Sequence, residues 1–401
     1  MDAPAETHHP HGQGEGPALR LSVVIAALVA ALVGFGGTVP LVLSAAAALG
    51  ATPAQTASWV AAVCLGAAGS TLYLSLRHRM PIVTAWSTPG AALIAGFGAG
   101  VGMQAAVGAF LLAAVLVMLC AAIRPLGRLV ARIPVSVAAA MLAGVLARFV
   151  MAVADHAAAS PALVLPLLAL FFLVRLFSPS WAVLTVLVAG GAGVFAFGLN
   201  TPLTGGWEMP QLTLVSPVFD PAVMLGLGLP LFLVSMAAQN LPGFAVLRAS
   251  GYQPPTGSIL AATGLASLIL APVGSHSVTL SAITAAICTG KDAHPDPAKR
   301  FLTGPFYALF YFILAGFGAT MVAVFAALPP ALIATIAGLA LLSPLTGALT
   351  AALAEEKGRI AAVATFTTTV SGVSAFGLGA PVWGLLAGLL LLFLDHVRAK
   401  L

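Results

Sequence analysis

The chain has 401 residues, of which 60% are hydrophobic and only 7% are charged, and its formal net charge is +5. A water-soluble protein of this length needs many more charged side chains to cover its surface, so the composition excludes a soluble fold and predicts a membrane protein. The basic residues lie between apolar runs, which indicates a role in membrane orientation and argues against a nucleic-acid partner.

Residues 1–18 precede the first apolar run and contain Pro, Gly, His and acidic residues without hydrophobic periodicity. This composition predicts a disordered tail. Cys64, Cys120 and Cys288 are far apart within apolar runs, so neither a disulfide framework nor a zinc site is predicted. We therefore expect no metal and no cofactor.

The rest of the chain is a series of apolar runs, many of them near the ~20 residues that a helix needs to cross about 30 Å of hydrocarbon. Fourteen such spans, with both termini in the cytoplasm, place the basic connections on the inner side, as the positive-inside rule requires. Arg148 alone falls outside, and we expect it to pair with Asp155; attraction of anions is the alternative. The spans lie near 21–48, 55–76, 81–98, 103–122, 134–152, 161–176, 180–198, 221–241, 256–271, 276–290, 302–325, 329–346, 359–377 and 381–396.

The first seven spans resemble the last seven. Residues 38–40 (TVP) of span one match residues 240–242 (NLP) of span eight, at an offset of roughly 200 residues. The pattern predicts two repeats, residues 19–200 and 215–398, which are inverted because each has an odd number of spans. Shared Ala, Leu and Gly composition is the alternative explanation.

Spans three and ten are predicted to be broken near the middle of the membrane. Residues 81–88 and 276–280 favour extended structure, and Thr88 is expected to cap a helix over residues 89–98. The matching helix of span ten covers about 281–289. A ten-residue helix rises only ~15 Å, so both N-termini lie at mid-depth, where their partial positive charge favours an anion. Kinked packing helices are the alternative.

Several strings resemble the BenE family of benzoate/proton symporters: RMPIVTAWSTPGAA at residues 79–92, QNLPG at 239–243 and LSAITAAIC at 280–288. The similarity runs from about residue 20 to the end. It implies an all-α membrane fold with a core domain of spans one to four and eight to eleven, and a gate domain of the remaining spans. It also implies proton-coupled import of benzoate or a similar aromatic carboxylate across the bacterial inner membrane, and it allows a homodimer.

Nucleobase transporters that share this fold carry acidic residues on spans eight and ten, where this chain has Gln239 and Leu280. The change disfavours a nucleobase and fits a substrate that is itself negatively charged, since two buried carboxylates repel each other. It also removes the obvious proton carrier. His276 is our candidate because imidazole titrates near neutral pH, with a structural histidine as the alternative.

The predicted binding site combines hydroxyls, amides and aromatic rings near the broken spans. Gln239 and Asn240 are expected to contact the substrate or the half-helices, with interhelical hydrogen bonding as the alternative. The other predicted binding residues are Phe35, Gly37, Trp86, Ser87, Thr88, Thr279, Leu280 and Ser281.

A second function is compatible with the same fold, namely an exchanger or channel for an inorganic anion such as sulfate or bicarbonate. An enzyme would need clustered carboxylates, a His/Cys metal set or an activated nucleophile within the spans, and the sequence shows none of these patterns. We therefore predict a transporter without catalytic residues. A receptor or scaffold would not require broken spans.

Overall fold

The computed structural model describes residues 21–97, 100–123, 134–202, 209–281, 283–373, 375 and 378–398. The predicted tail, residues 1–18, lies outside these ranges, as does Gly98 at the predicted end of the first half-helix.

Among the described residues, the first half of the chain contains seven helices and one short strand. Proline starts several of them, because its fixed φ angle suits the first helical turn and its missing N–H is not needed there. The elements are α1 (Leu21–Ala48), α2 (Pro53–His78), β1 (Thr84–Trp86), α3 (Thr88–Phe97), α4 (Met103–Ala122), α5 (Val135–Ala159), α6 (Pro161–Phe177) and α7 (Pro179–Ala196).

The second half follows the same order of helices and a strand, with the bent pair α11 and α12 in the place of α4. Helix α8 includes two π-helical turns, Met224–Gly228 and Met236–Asn240. The elements are α8 (Pro221–Ala249), α9 (Thr256–Leu270), β2 (Val278–Leu280), α10 (Ile283–Thr289), α11 (Thr303–Gly316), α12 (Gly318–Ala326), α13 (Pro330–Leu353), α14 (Arg359–Ser371) and α15 (Ala380–Arg398).

Span eleven differs from the prediction of one continuous helix over 302–325. The helical segments on either side of Phe317 are bent by 60°. Gly316 and Gly318 flank the bend, and glycine is a weak helix former at which long helices often kink.

Within the described residues, eight helices have the length and hydropathy to cross a bilayer, and a ninth span is obtained if the bent α11–α12 pair is counted as one. The protein is therefore a mostly helical membrane protein. Helices α3 and α6 and the Trp181–Ala196 part of α7 are apolar but shorter, and α10 has only seven residues. The count of fourteen spans stays a prediction.

The helices pack in two groups. In the first, α2 packs on α11 and α12, α4 packs on α8 and α9, and α1 packs on α3 and α10. In the second, α5 packs on α13 and α14, and α14 packs on α15. The α5–α13 contact is close because Gly338 has no side chain; a Cβ there would lie 2.6 Å from the carbonyl oxygen of Phe149.

The segment 209–220, which precedes α8, runs across one end of the molecule. Its backbone N–H groups donate to the start of α2, the residues after α9 and the start of α4. These bonds join Thr213 N to Ser58 Oγ (2.9 Å), Val215 N to Pro272 O (2.7 Å) and Val218 N to Gln104 O (2.9 Å).

Two bonds join connections at the other end of α1. Ser22 Oγ at the start of α1 donates to Ala293 O after α10 at 2.9 Å. Tyr252 Oη, between α8 and α9, donates to Pro297 O before α11 at 2.8 Å. The start of α1, the α8–α9 connection and the connection between α10 and α11 therefore lie together.

Candidate functional site

Strands β1 and β2 lie side by side in the protein interior, so both predicted extended stretches are observed. Each strand satisfies backbone groups of the other in the protein interior, where unpaired backbone groups are costly. The antiparallel register pairs Thr84 with Leu280, Ala85 with Thr279 and Trp86 with Val278. We call residues 84–88 and 276–284 the strand crossing.

Hydroxyl groups of two neighbouring helices hold the strands in place. Thr71 Oγ1 of α2 accepts the backbone N–H of Thr84 at 2.9 Å, and Ser267 Oγ of α9 accepts that of Val278 at 2.7 Å. Thr71 and Ser267 are buried. One helix from each half of the chain therefore anchors one strand in the same way.

Helix α3 begins at Thr88 and is capped by Ser87. Ser87 Oγ accepts the N–H of Gly90 at 3.0 Å, and Ser87 O accepts that of Ala91 at 2.9 Å. The prediction that Thr88 is the cap was wrong by one residue, because Thr88 already occupies the first helical position. The first two residues of the helix are Thr88 and Pro89. Because proline has no backbone N–H, Thr88 has the only one of this pair. The Thr88 hydroxyl is half-buried and has no hydrogen-bond partner among the described residues.

Helix α10 is described over Ile283–Thr289, whereas the predicted half-helix started at about Ser281. Ser281 instead extends the strand pairing, since its N–H donates to Val83 O at 3.0 Å. Thr284 Oγ1 donates to Ser281 Oγ at 2.6 Å. With seven residues, α10 sums fewer aligned peptide dipoles than α3, so α3 supplies the larger partial charge.

The strand crossing has no formal charge in its hydrogen-bond network. In the part of the chain that the structure describes, the side chains that hydrogen-bond to it are hydroxyls, an amide, an imidazole and an indole. No group of three or more His, Cys, Asp or Glu side chains in that part could hold a metal ion. The positive end of α3 is therefore not neutralised by a carboxylate in this network, and an anion would meet no like charge from it.

Helix α8 contributes two amides from its second π-helical turn, a feature often found at functional sites. Asn240 is fully buried: Oδ1 accepts the N–H of Leu280 at 3.0 Å, and Nδ2 donates to Ser235 O at 3.2 Å. Gln239 is half-buried, and its carboxamide has no partner among the described residues. Asn240 therefore holds β2, while the Gln239 carboxamide has donors that no described group accepts.

Thr279 and Leu280 lie within β2 and are buried. The Thr279 hydroxyl lies 3.4 Å from Ala85 O, across the strand pair. The Leu280 side chain covers Gly243 of α8, where a Cβ would lie 2.6 Å from Leu280 Cγ. Leu280 thus contributes packing rather than a polar group.

His276 links β2 to α2 and to the start of α3. Its Nδ1 lies 3.1 Å from Trp59 Nε1, and its Nε2 lies 2.9 Å from Ser87 O. An indole N–H can only donate, so Nδ1 is unprotonated and Nε2 carries the proton that bonds to Ser87 O. A second proton on Nδ1 would break the bond to Trp59.

Aromatic rings surround one side of the strand crossing. The Trp86 ring makes edge contacts with Phe35 of α1, at a centroid distance of 6.2 Å, and with Tyr311 of α11, at 5.9 Å. Trp86 Nε1 is buried and has no hydrogen-bond partner among the described residues. Tyr307 also reaches the crossing and donates to Thr84 O at 3.2 Å.

The sequence analysis missed Tyr307 and Tyr311. The available signal was their spacing, since two of only four tyrosines in the chain lie one helical turn apart in an apolar run.

Gly37 is the predicted site residue that the structure places elsewhere. A Cβ at Gly37 would meet Val183 of α7 at 3.7 Å. Gly34, one turn earlier, faces the crossing, since a Cβ there would lie 2.7 Å from Tyr311 Oη and 3.1 Å from Thr284 Cγ2. Helix α1 therefore approaches the crossing at Gly34.

Comparison with known sequences gives matches over nearly the whole chain. The sequence model of the BenE family, described as Benzoate membrane transport protein, matches residues 18–394. Inner membrane protein YdcO of Escherichia coli is 39% identical over 367 residues, covering 91% of this chain and 93% of that protein. The Benzoate membrane transport protein of Acinetobacter baylyi is 36% identical over 374 residues, covering 93% of this chain and 95% of that protein.

Solved structures share the fold at low sequence identity. The transmembrane domain of a cyanobacterium bicarbonate transporter, BicA, matches with a TM-score of 0.60 and 16% identity, covering 92% of this chain and 97% of that chain. The structure of SLC26A9 matches with a TM-score of 0.65 and 14% identity, covering 94% of this chain and 66% of that chain. These two similarities concern the fold alone.

Proposed function

Because the chain belongs to the BenE family of benzoate membrane transport proteins, we propose that it imports benzoate or a similar aromatic carboxylate across the bacterial inner membrane in symport with protons. The family consists of membrane transporters, so the protein is a transporter and not an enzyme. The main structural support for the proposal is the strand crossing, because it brings a helix N-terminus, uncharged donors and aromatic rings together inside the protein.

The substrate carboxylate is proposed to bind at the start of α3. Ser87, Thr88 and Gln239 have donors directed to no other described acceptor. Ser281 lies at the other end of the strand pair, where its N–H donates to Val83 O, and its hydroxyl is proposed to contact the substrate from the α10 side. A hydrogen bond to a charged group contributes about 1.5–3 kcal/mol, and a helix N-terminus about 0.3–1 kcal/mol. Two or three such contacts, roughly 3–9 kcal/mol together, are comparable with the several kcal/mol that burying one ion effectively costs in a protein.

The substrate ring is proposed to contact Phe35 and Trp86. Ring contacts of this kind contribute about 0.5–1.5 kcal/mol beyond the area that they bury. The buried N–H of Trp86 is a further donor without a described partner, and a carboxylate oxygen would satisfy it. The ring contacts favour an aromatic acid over a small inorganic anion, which has no apolar surface to place against them.

The strand register supports two inverted repeats. With the offset of 194 residues between Ser87 and Ser281, Ala85 is equivalent to Thr279, and these two residues pair with each other at the centre of the crossing. On either side of this pair, Thr84 pairs with Leu280, which is the equivalent of Trp86, and Trp86 pairs with Val278, which is the equivalent of Thr84. A two-fold axis through the central pair, as in an inverted-repeat transporter, produces this register.

We extend the proposal to fourteen spans with both termini in the cytoplasm, arranged as repeats 19–200 and 215–398. The hydrogen bonds of segment 209–220 support this count. They join the segment to the starts of α2 and α4 and to the residues after α9, and fourteen spans would put all four regions on the same side of the membrane. The proposed core comprises α1–α4 and α8–α12, and the gate comprises α5–α7 and α13–α15. Movement of the core past the gate would expose the crossing to each side in turn. In a homodimer, the gate domains of the two copies would stay fixed while each core moves.

Proton coupling is proposed to use His276. Because protonation of Nδ1 removes the acceptor of the Trp59 N–H, it would release β2 from α2 and free the crossing to move. Charge balance also favours this assignment, since a protonated His276 next to Ser87 would attract the substrate carboxylate.

Transport of an inorganic anion such as sulfate or bicarbonate is the second candidate. The observation that favours it is the fold similarity to a bicarbonate transporter. The aromatic contacts at the crossing do not suit such an ion, which has no apolar surface to bury.

Uptake of labelled benzoate by proteoliposomes, with and without an inward proton gradient, tests the proposal. We expect uptake above protein-free vesicles, stimulation by the gradient and competition by unlabelled benzoate but not by benzamide, which lacks the charge. Uptake of labelled bicarbonate or sulfate without any uptake of benzoate would establish the second candidate instead.

A further inference from the structure

A cavity of about 440 Å³ lies at the C-terminal end of α3, roughly 15 Å along the helix from the strand crossing. Its volume falls within the range of about 300–1,000 Å³ that is usual for ligand sites. Its walls come from α3, the start of α4, α5, the start of α8 and the ends of α14 and α15 that face each other. The apolar side chains among them include Leu93, Phe97, Val101, Val145 and Val223.

Arg148 of α5 is a cation in the wall of this cavity. Its guanidinium lies against Gly372, where a Cβ would be 3.0 Å from Arg148 Cζ. The expected pair with Asp155 is not formed, because the two residues are seven positions apart, about 10 Å along α5. In the described part of the chain Arg148 has no hydrogen-bond or ion-pair partner, so its five donors are free to bind an anion.

Asp220 is an acidic side chain in the wall of the same cavity. Its Oδ1 accepts the N–H groups of Ala222 at 2.8 Å and Val223 at 3.3 Å, which caps α8. The carboxylate therefore interacts with a helix N-terminus rather than with Arg148. An unpaired guanidinium beside apolar walls suits a ligand that has one carboxylate and one apolar ring.

We propose that this cavity, the Arg148 cavity, binds an aromatic carboxylate before it moves along α3 to the strand crossing. The identity of the ligand rests on the proposed function. Arg148 binds the carboxylate, and Leu93, Phe97 and Val145 contact the ring. Phe97 and Leu93 lie on the same helix whose N-terminus forms the central site, so the two sites share one wall.

Kinetics of benzoate uptake test the role of Arg148. We expect Arg148→Gln to raise the KM by about tenfold, the value of one hydrogen bond to a charged group at an exposed site, with the maximal rate preserved. Arg148→Lys should recover part of the loss, and Asp220→Asn should lower the KM. Arg175→Gln is the control, because Arg175 lies on α6 and bonds to Ser343 Oγ at 2.8 Å. A KM for Arg148→Gln equal to that of the control would overturn the proposal.

A labelling experiment tests binding in the cavity independently of transport. Cys64, Cys120 and Cys288 are all buried, so a cysteine introduced as Ala105→Cys in the cavity wall supplies the accessible thiol. We expect benzoate to slow its reaction with a membrane-impermeant maleimide, and the protection to disappear when Arg148→Gln is added. Labelling that benzoate does not slow would refute the site. If the wild-type protein takes up no benzoate, the proposed function fails. The labelling experiment then tests by itself whether the Arg148 cavity binds benzoate.

Discussion

Gly66 of α2 provides a sharp test of the strand crossing. A Cβ at this position would lie 2.6 Å from Val278 Cγ2 in β2 and 3.0 Å from Leu270 Cδ1. Because carbon atoms in contact are about 3.5–4.0 Å apart, Gly66→Ala must displace β2 or α2 by about 1 Å. Overpacking of a buried contact costs roughly 1–3 kcal/mol. Val278 pairs with Trp86, so the displacement reaches the proposed binding residues directly.

Gly69→Ala is the matched control on the same helix. It adds the same methyl group one turn away, where no atom lies within 4 Å of the new Cβ. We expect Gly66→Ala to lower the thermal unfolding temperature in detergent and to slow benzoate uptake by proteoliposomes. Gly69→Ala should keep both values at the wild-type level or slightly raise stability, since alanine is the better helix former. Equal behaviour of the two variants would refute the close packing of β2 against α2.

Three further predictions concern single polar groups at the crossing. Ser87→Ala removes the cap of α3 and should lower the free energy of unfolding by about 1 kcal/mol, whereas Thr88→Ala should not; equal thermal shifts would contradict the assignment of the cap. Asn240→Leu leaves the buried N–H of Leu280 without a partner, so we expect a loss of roughly 1–3 kcal/mol, and an unchanged melting temperature would refute that role. His276→Gln should abolish the stimulation of uptake by a proton gradient while leaving uptake without a gradient; persistent stimulation would exclude His276 as the carrier.

The broken spans were predictable from the sequence because their causes are local. Residues 81–88 combine β-branched and aromatic residues with a following proline, which disfavours helix at that point whatever the rest of the chain does. The helix starts were less predictable. Whether Ser87 or Thr88 acts as the cap depends on which hydroxyl reaches the N–H of Gly90, and Ser281 was drawn into the strand pair by Val83.

Contacts between distant parts of the chain account for what the sequence analysis missed. Gly34 and Gly37 are less than one helical turn apart, yet only Gly34 faces the crossing, because the packing of α1 between α11 and α7 sets its rotation. Tyr311 reaches Trp86 through the packing of α11 on α1. The Arg148 cavity requires six helices to meet. The spacing of Tyr307 and Tyr311 is a local signal, but which residues each of these groups meets depends on how the helices pack.

The location of a bound substrate analogue tests the central claim most directly. In a crystal of the protein with 4-bromobenzoate, the anomalous signal of bromine fixes the position of the ring. We predict a peak beside Trp86 and Phe35, with the carboxylate directed at Ser87 and Thr88. A protein that transports this compound but shows its bromine peak only at a distance from both strands would contradict the account.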